Sequence, residues 1–249
     1  MGPAHETEWL PVLDVAVPGR QRRWTVLLRW LLLVPQFIVV GLLSVAAFFV
    51  TVAGWFAALV LGRLPGSIFS FLASVLAYRT RVGASAMLLV DRYPPFAFSA
   101  PDYPVQIEVR PTELNRAAVL FRLVLMIPAA IVVGLLQSGW AALSWIFWII
   151  AIVLGRLPTP VFAAAAAVAR YQLRTAAYAS LLTPAYPKRL FGDAPAPPQE
   201  TYSATRPLLL ETGAKVLLVL FLILGLGGQA AQNTLVTYDR DEPTGSGSP

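Results

Sequence analysis

The chain has 249 residues, 57% of them hydrophobic and only 13% charged, with a mean hydropathy of +0.66; that composition excludes an ordinary soluble domain and points to a membrane. The formal charge of +6 comes from 19 basic and 13 acidic residues, and Arg makes up all but two of the bases, which suits anionic lipid headgroups. There is no Cys, so disulfides, thiolate metal sites and Cys nucleophiles are excluded.

Residues 1–10 form a polar N-terminal tail that carries the single His, His5, read as a solvated residue. The opening "MGPAHETEWLP" has neither the basic start nor the short apolar core of a signal peptide, and Glu6 breaks the myristoylation pattern. Membrane insertion is therefore expected to use internal helices. Next come short alternating segments, "PVLDVAV" and later "YPVQIEV", which could pair as a small cytoplasmic sheet. From Trp30 to Gly62 there is no charge. That stretch is about 50 Å as helix, too long for one crossing of a core about 30 Å thick. The expectation is a hairpin, crossing at Trp24 to Leu43 and at Ala47 to Gly62, with its turn at "SVAA" (Ser44 to Ala47) and Arg29 snorkelling to the headgroups. Arg63, in "VLGRLP", is expected as an interfacial anchor that complements the helix dipole, with Pro65 stopping the helix. Ile68, Phe71, Leu72, Val75 and Leu89 then alternate at helical spacing with a stripe of Ser67, Ser70, Ser74, Arg81 and Ser85. Because Arg79 and Arg81 interrupt the run, a helix lying in the cytoplasmic interface is predicted rather than a third crossing.

All of this recurs. Shifted by 93 residues, Pro11 to Phe96 aligns without a gap on Pro104 to Arg189, with 34 of 86 pairs identical. The second copy gives crossings at Ala117 to Leu136 and Trp140 to Gly155, a turn at "QSGW" (Gln137 to Trp140), anchors Arg122 and Arg156, and an interfacial helix with Arg170 and Arg174. The domains are thus repeat 1 (11–96), a linker (97–103), repeat 2 (104–189), a Pro-rich linker (190–206), a C-terminal transmembrane helix (207–231) and a disordered tail (232–249). The fifth crossing runs from Leu208 to Ala231, with Glu211 and Lys215 as a first-turn ion pair. The fold class expected is all-α integral membrane, two tandem repeats of a hairpin plus an interfacial helix with a fifth helix behind them. Matching Arg positions put both repeats in the same orientation, the N-terminus inside and the C-terminus outside.

The segments "RWLLLVPQFIVV", "LGRLP", the Arg-bearing helix and "DRYPPF" (Asp91 to Phe96) together resemble the bacterial membrane family called domain of unknown function 4389. The second copy departs from it in reading "TPAYPKR" where the first reads "VDRYPPF". The resemblance implies a multi-pass inner-membrane protein and supplies no activity or catalytic residue.

The chemistry expected is correspondingly sparse. The four hairpin crossings contain no carboxylate, no Gly-rich phosphate loop precedes a helix, and no His, Cys or carboxylate cluster suits a metal, so neither catalytic residue nor cofactor is assigned. Asp91, Asp102, Glu108 and Glu113 are read as solvated turn residues. Nucleic acid ranks below lipid as a partner, because the bases flank apolar runs instead of forming a basic domain. The expected function is a non-enzymatic accessory or scaffold protein contacting anionic lipid or a membrane partner, with Arg79, Arg81, Arg170 and Arg174 on the headgroups. A small transporter or channel built from parallel repeats is the alternative.

Overall fold

The computed structural model describes residues 9–16, 19–193, 203 and 205–241, with side chains to residue 230 in the last helix. His5 and the end of the tail, 242–249, lie outside the described residues. In chain order the elements are β1 (Val12–Val15), α1 (Arg23–Leu27), α2 (Arg29–Leu61), α3 (Gly66–Ala86), β2 (Val105–Glu108), α4 (Arg116–Leu120), α5 (Arg122–Leu154), α6 (Thr159–Ala179) and α7 (Thr212–Asp241).

Two expectations of the sequence are corrected at once. α2 and α5 are each a single unbroken helix of 33 residues, so neither "SVAA" nor "QSGW" makes a turn. Pro35 and Pro128, each the seventh residue of its helix, remove one ladder bond apiece without ending the helix. Instead of five crossings there are three helices long and apolar enough to cross a membrane: α2, α5 and the part of α7 from Thr212 to Ala230. That fits a membrane location. The other correction concerns α6, expected at an interface and found in the interior, and the second half of α3, which is buried while its start at Gly66, Ser67 and Ser70 is exposed. Fifteen residues of α6 are buried, packed against α3, α5, α7 and β1. The small side chains Ala164 to Ala167 allow this close approach.

Both long helices end alike. Gly62 and Gly155 adopt left-handed φ values of 71° and 66°, which glycine accepts without strain, and Arg63 and Arg156 follow in exposed positions. α2 and α3 then lie side by side, as do α5 and α6.

The repeats are related by a pseudo-twofold axis, visible in reciprocal hydrogen bonds 93 residues apart. Trp55 Nε1 donates to the Val119 carbonyl at 2.9 Å, and Trp148 Nε1 donates to that of Val26 at 2.8 Å. The Gln21 N–H donates to the Gly155 carbonyl, and the Leu114 N–H to that of Gly62, both at 2.8 Å. β1 and β2 pair antiparallel with the symmetric register Val12↔Glu108 and Val15↔Val105, so the small sheet expected from the alternating segments does form. It is extended by Thr205, whose hydroxyl accepts from the Val15 N–H and donates to the Leu13 carbonyl.

The same bonds set the start of each long helix beside the end of the other. α2 and α5 therefore run in opposite directions on one layer. α3 and α6 cross beneath them, and the sheet lies against α3 and α6 on the far side. α7 breaks the symmetry by packing on α5 and α6 only. It starts at Thr212 rather than Leu208: the Leu208 carbonyl accepts from the Asp193 N–H at 2.9 Å, and the first helical bond of α7 runs from the Lys215 N–H to the Glu211 carbonyl. It also runs to Asp241, into the stretch expected to be a disordered tail.

Candidate functional site

Each of the buried cations Arg29, Arg81, Arg122, Arg170 and Arg174 makes two or more hydrogen bonds to distant parts of the chain. Arg29, 4% exposed, donates to the carbonyls of Ser85 (2.8 Å) and Val90 (2.5 Å), and its guanidinium meets the Asp91 carboxylate at 3.1 Å. Arg122 makes the same pair of bonds one repeat later, to the carbonyls of Tyr178 (2.6 Å) and Thr183. Pro184 stands where Asp91 would be, so the guanidinium has no carboxylate and instead lies over the Tyr178 ring, 4.0 Å from its centroid. The bonds tie the start of each long helix to the chain just past the partner helix, where Leu88 and Leu181 turn back with φ values of 60° and 62°.

This corrects the anchors drawn from the sequence. Arg29 and Arg122, expected as interfacial anchors, are buried; Arg63 and Arg156 lie exposed at the helix ends. Three of the four residues expected on lipid headgroups are also interior. Arg81 donates to the carbonyls of Ala97 (2.5 Å) and Phe98 (2.9 Å). Arg170 pairs with Asp193, and Arg174 donates to the carbonyls of Lys188 (2.9 Å) and Pro11 (3.2 Å). Burial depresses the Arg170 pKa, and that of Arg174 falls to about 10, from burial first and the neighbouring Arg170 charge second. A cation in such surroundings costs several kcal/mol unless its donors are satisfied, so carbonyls exposed by irregular chain gather around it.

Arg79, the fourth, is exposed, and among the described residues it makes no hydrogen bond or ion pair. It borders two cavities in the groove between α2 and α5, floored by α3 and α6. One, of about 450 Å³, straddles the pseudo-twofold axis and is lined by paired positions such as Val40 with Val133 and Arg79 with Gln172. The other, of about 470 Å³, is strongly apolar and lies between Phe48, Val52 and Trp55 of α2 and Leu123 and Met126 of α5, with Arg122 in its wall.

Among the described residues no group of three His, Cys or carboxylate side chains could hold a metal ion. Sequence reasoning missed Asp91, read as a solvated turn residue, and Asp193, passed over within the Pro-rich linker, as partners of buried cations. It also missed Gln36, fully buried, which donates to the Pro94 carbonyl at 2.7 Å and accepts from the Tyr78 hydroxyl. Gln36 carried a usable signal, a lone amide in an uncharged apolar run.

No curated protein and no solved structure matches the chain. The family model described as "Domain of unknown function (DUF4389)" matches residues 23–97 and again 116–190. Each match opens at the short helix before a long one and closes after the segment that satisfies the buried Arg. Together they span more than half of the chain, which belongs to the DUF4389 family as two tandem copies.

Proposed function

We propose that this is a membrane protein with no turnover of its own, an accessory or scaffold unit seated in a bacterial inner membrane through the face formed by α2, α5 and α7. The observation that carries the reading is the exposed apolar surface of the two long helices, with Leu31, Leu42, Phe48 and Phe49 on α2 and Leu123, Trp145 and Val153 on α5 all more than half exposed. Patches of that extent mark a membrane or a partner.

The path of the chain supports a one-sided seat. Residues 87–115 carry the backbone from the Arg29 end of α2, where Val90 is held, to the Gly62 end, where Leu114 is held. This segment is mostly irregular and holds Asp91, Arg92, Asp102, Glu108, Arg110 and Glu113. Irregular, charged backbone does not cross hydrocarbon. α2 and α5 therefore lie along the membrane, and the sheet and linker face the cytoplasm. Exposed cations mark both ends of the pair: Arg23 beside Val153 with Arg156, and Arg116 beside Gly62 with Arg63. Each contributes about 1 kcal/mol on an anionic surface.

Co-sedimentation of the full chain with phosphatidylglycerol and phosphatidylcholine vesicles tests this. Replacing Arg23, Arg63, Arg116 and Arg156 by Gln should weaken binding to the anionic vesicles and leave the zwitterionic ones unaffected. An unchanged preference contradicts the headgroup role, and solute flux through reconstituted protein would favour a transporter.

A further inference from the structure

We propose that the 470 Å³ cavity between α2 and the start of α5 is a binding site for a single-chain anionic amphiphile, a fatty carboxylate whose head meets Arg79 and Arg122 and whose chain lies against Phe48, Val52, Trp55, Leu123 and Met126. Comparison of the two repeats carries the argument. The position related to this cavity by the pseudo-twofold axis is lined by Arg29, Trp30, Ala86, Leu88, Trp140, Ser144 and Trp148, each the counterpart, 93 residues away, of a residue lining the large cavity. There the space is only about 10 Å³. The difference is written in the sequence: Trp140 fills at one position what Ala47 leaves open at the other.

Charge follows the same division. At the filled position Arg29 is neutralised by Asp91, and Gln172 stands where the open one has Arg79. At the open position Arg122 has no carboxylate and Arg79 no polar partner among the described residues. Two cations without a carboxylate partner beside an apolar wall make a site for an anion with an apolar body, and the volume is that of a small-ligand site, room for one chain. Only 4% of Arg122 is exposed, so the head must be as compact as a carboxylate. Phe48, Phe56 and Leu123 are exposed at the mouth. The inference rests on the seat proposed above, which places that mouth in hydrocarbon and gives the chain lateral access.

The test measures hexadecanoate binding to the full chain in a neutral maltoside detergent, with 1-hexadecanol as the uncharged probe and phosphatidylglycerol as competitor. One hexadecanoate should bind per chain, and hexadecanol at least tenfold more weakly. Ala47→Trp and Arg79→Gln, which copy repeat 2 into repeat 1, should each weaken binding at least tenfold. Arg79→Gln changes an exposed side chain, so it reads the site even where Ala47→Trp perturbs folding; an unshifted melting temperature identifies variants that fold. Wild-type affinity in both folded variants overturns the site. Equal binding of hexadecanol overturns the anionic head, and tighter binding of phosphatidylglycerol reassigns the site to a phospholipid and overturns the single-chain ligand. Preference for anionic vesicles is measured on the same variants: retained there while hexadecanoate is lost, it separates failure of this site from failure of the seat.

Discussion

At the scale of single residues, the two repeats offer a controlled comparison of one buried guanidinium in two settings. Removing Arg29 leaves the half-buried Asp91 carboxylate and two carbonyls without their donor, whereas removing Arg122 leaves only carbonyls and a ring face. Breaking a buried pair costs about 3–5 kcal/mol, and leaving a neutral acceptor unsatisfied costs about 1–3 kcal/mol. Arg29→Met should accordingly destabilise more than Arg122→Met in detergent unfolding, and equal losses would deny Asp91 its part. Tyr103 gives a pH signature. Its hydroxyl donates to the Arg92 carbonyl at 2.8 Å, and burial pushes its pKa to about 12, against the pull of Arg29, Arg81 and Arg92. The folded chain then keeps a proton that the unfolded chain loses near pH 10, so the stabilisation is complete below pH 10 and disappears as pH rises through 12. Because the depressed Arg174 acts with the opposite sign over that window, the Tyr103 contribution is read as a difference: relative to Tyr103→Phe, the wild-type chain should lose melting temperature between pH 10 and 12, and identical curves would refute the assignment. At this scale the sequence showed which residues are cations but not which are buried. An Arg bounded by apolar residues reads alike whether it snorkels or meets backbone carbonyls, because those carbonyls belong to segments such as Ala97–Phe98 far along the chain.

At the scale of elements, the misreading of "SVAA" and "QSGW" has a physical source. The copies do diverge there, but because only repeat 2 receives α7. A Cβ on Gly139 would lie 2.0 Å from the Phe221 carbonyl oxygen, and one on Gly225 would lie 2.2 Å from that of Leu135. Trp140 packs edge-on against Phe221, 5.7 Å between centroids. The divergence records a helix docking and a filled cavity, which a turn signal imitates when one chain is read without its partner element. Gly139→Ala and Gly225→Ala should each destabilise by at least the 1–3 kcal/mol or so of an overpacked core, since the obstructing atoms are backbone. Gly134→Ala, whose added Cβ meets nothing nearer than 3.8 Å, serves as the control. Equal melting temperatures for all three would contradict the docking of α7 on α5. The strand segments were legible because alternation over four residues survives without tertiary help, and the helix ends because Gly-Arg-Leu-Pro carries its own stop.

At the scale of the whole molecule, the duplication was plain in the sequence, while the direction of its axis was not. Matching Arg positions are equally compatible with two parallel hairpins and with two single helices running oppositely; α2 and α5 are unbroken single helices, and long-range bonds such as Trp55 to Val119 set them antiparallel. The one-sided seat can be measured directly, since a chain without Cys accepts single labels at chosen points. Arg22→Cys and Arg63→Cys place a thiol at opposite ends of α2, and Ser44→Cys places one in its middle. With an impermeant thiol reagent on oriented membrane vesicles, both end positions should label from the cytoplasmic side and Ser44→Cys from neither. Labelling of the two ends from opposite sides, or of Ser44→Cys from the outer side, would contradict the account.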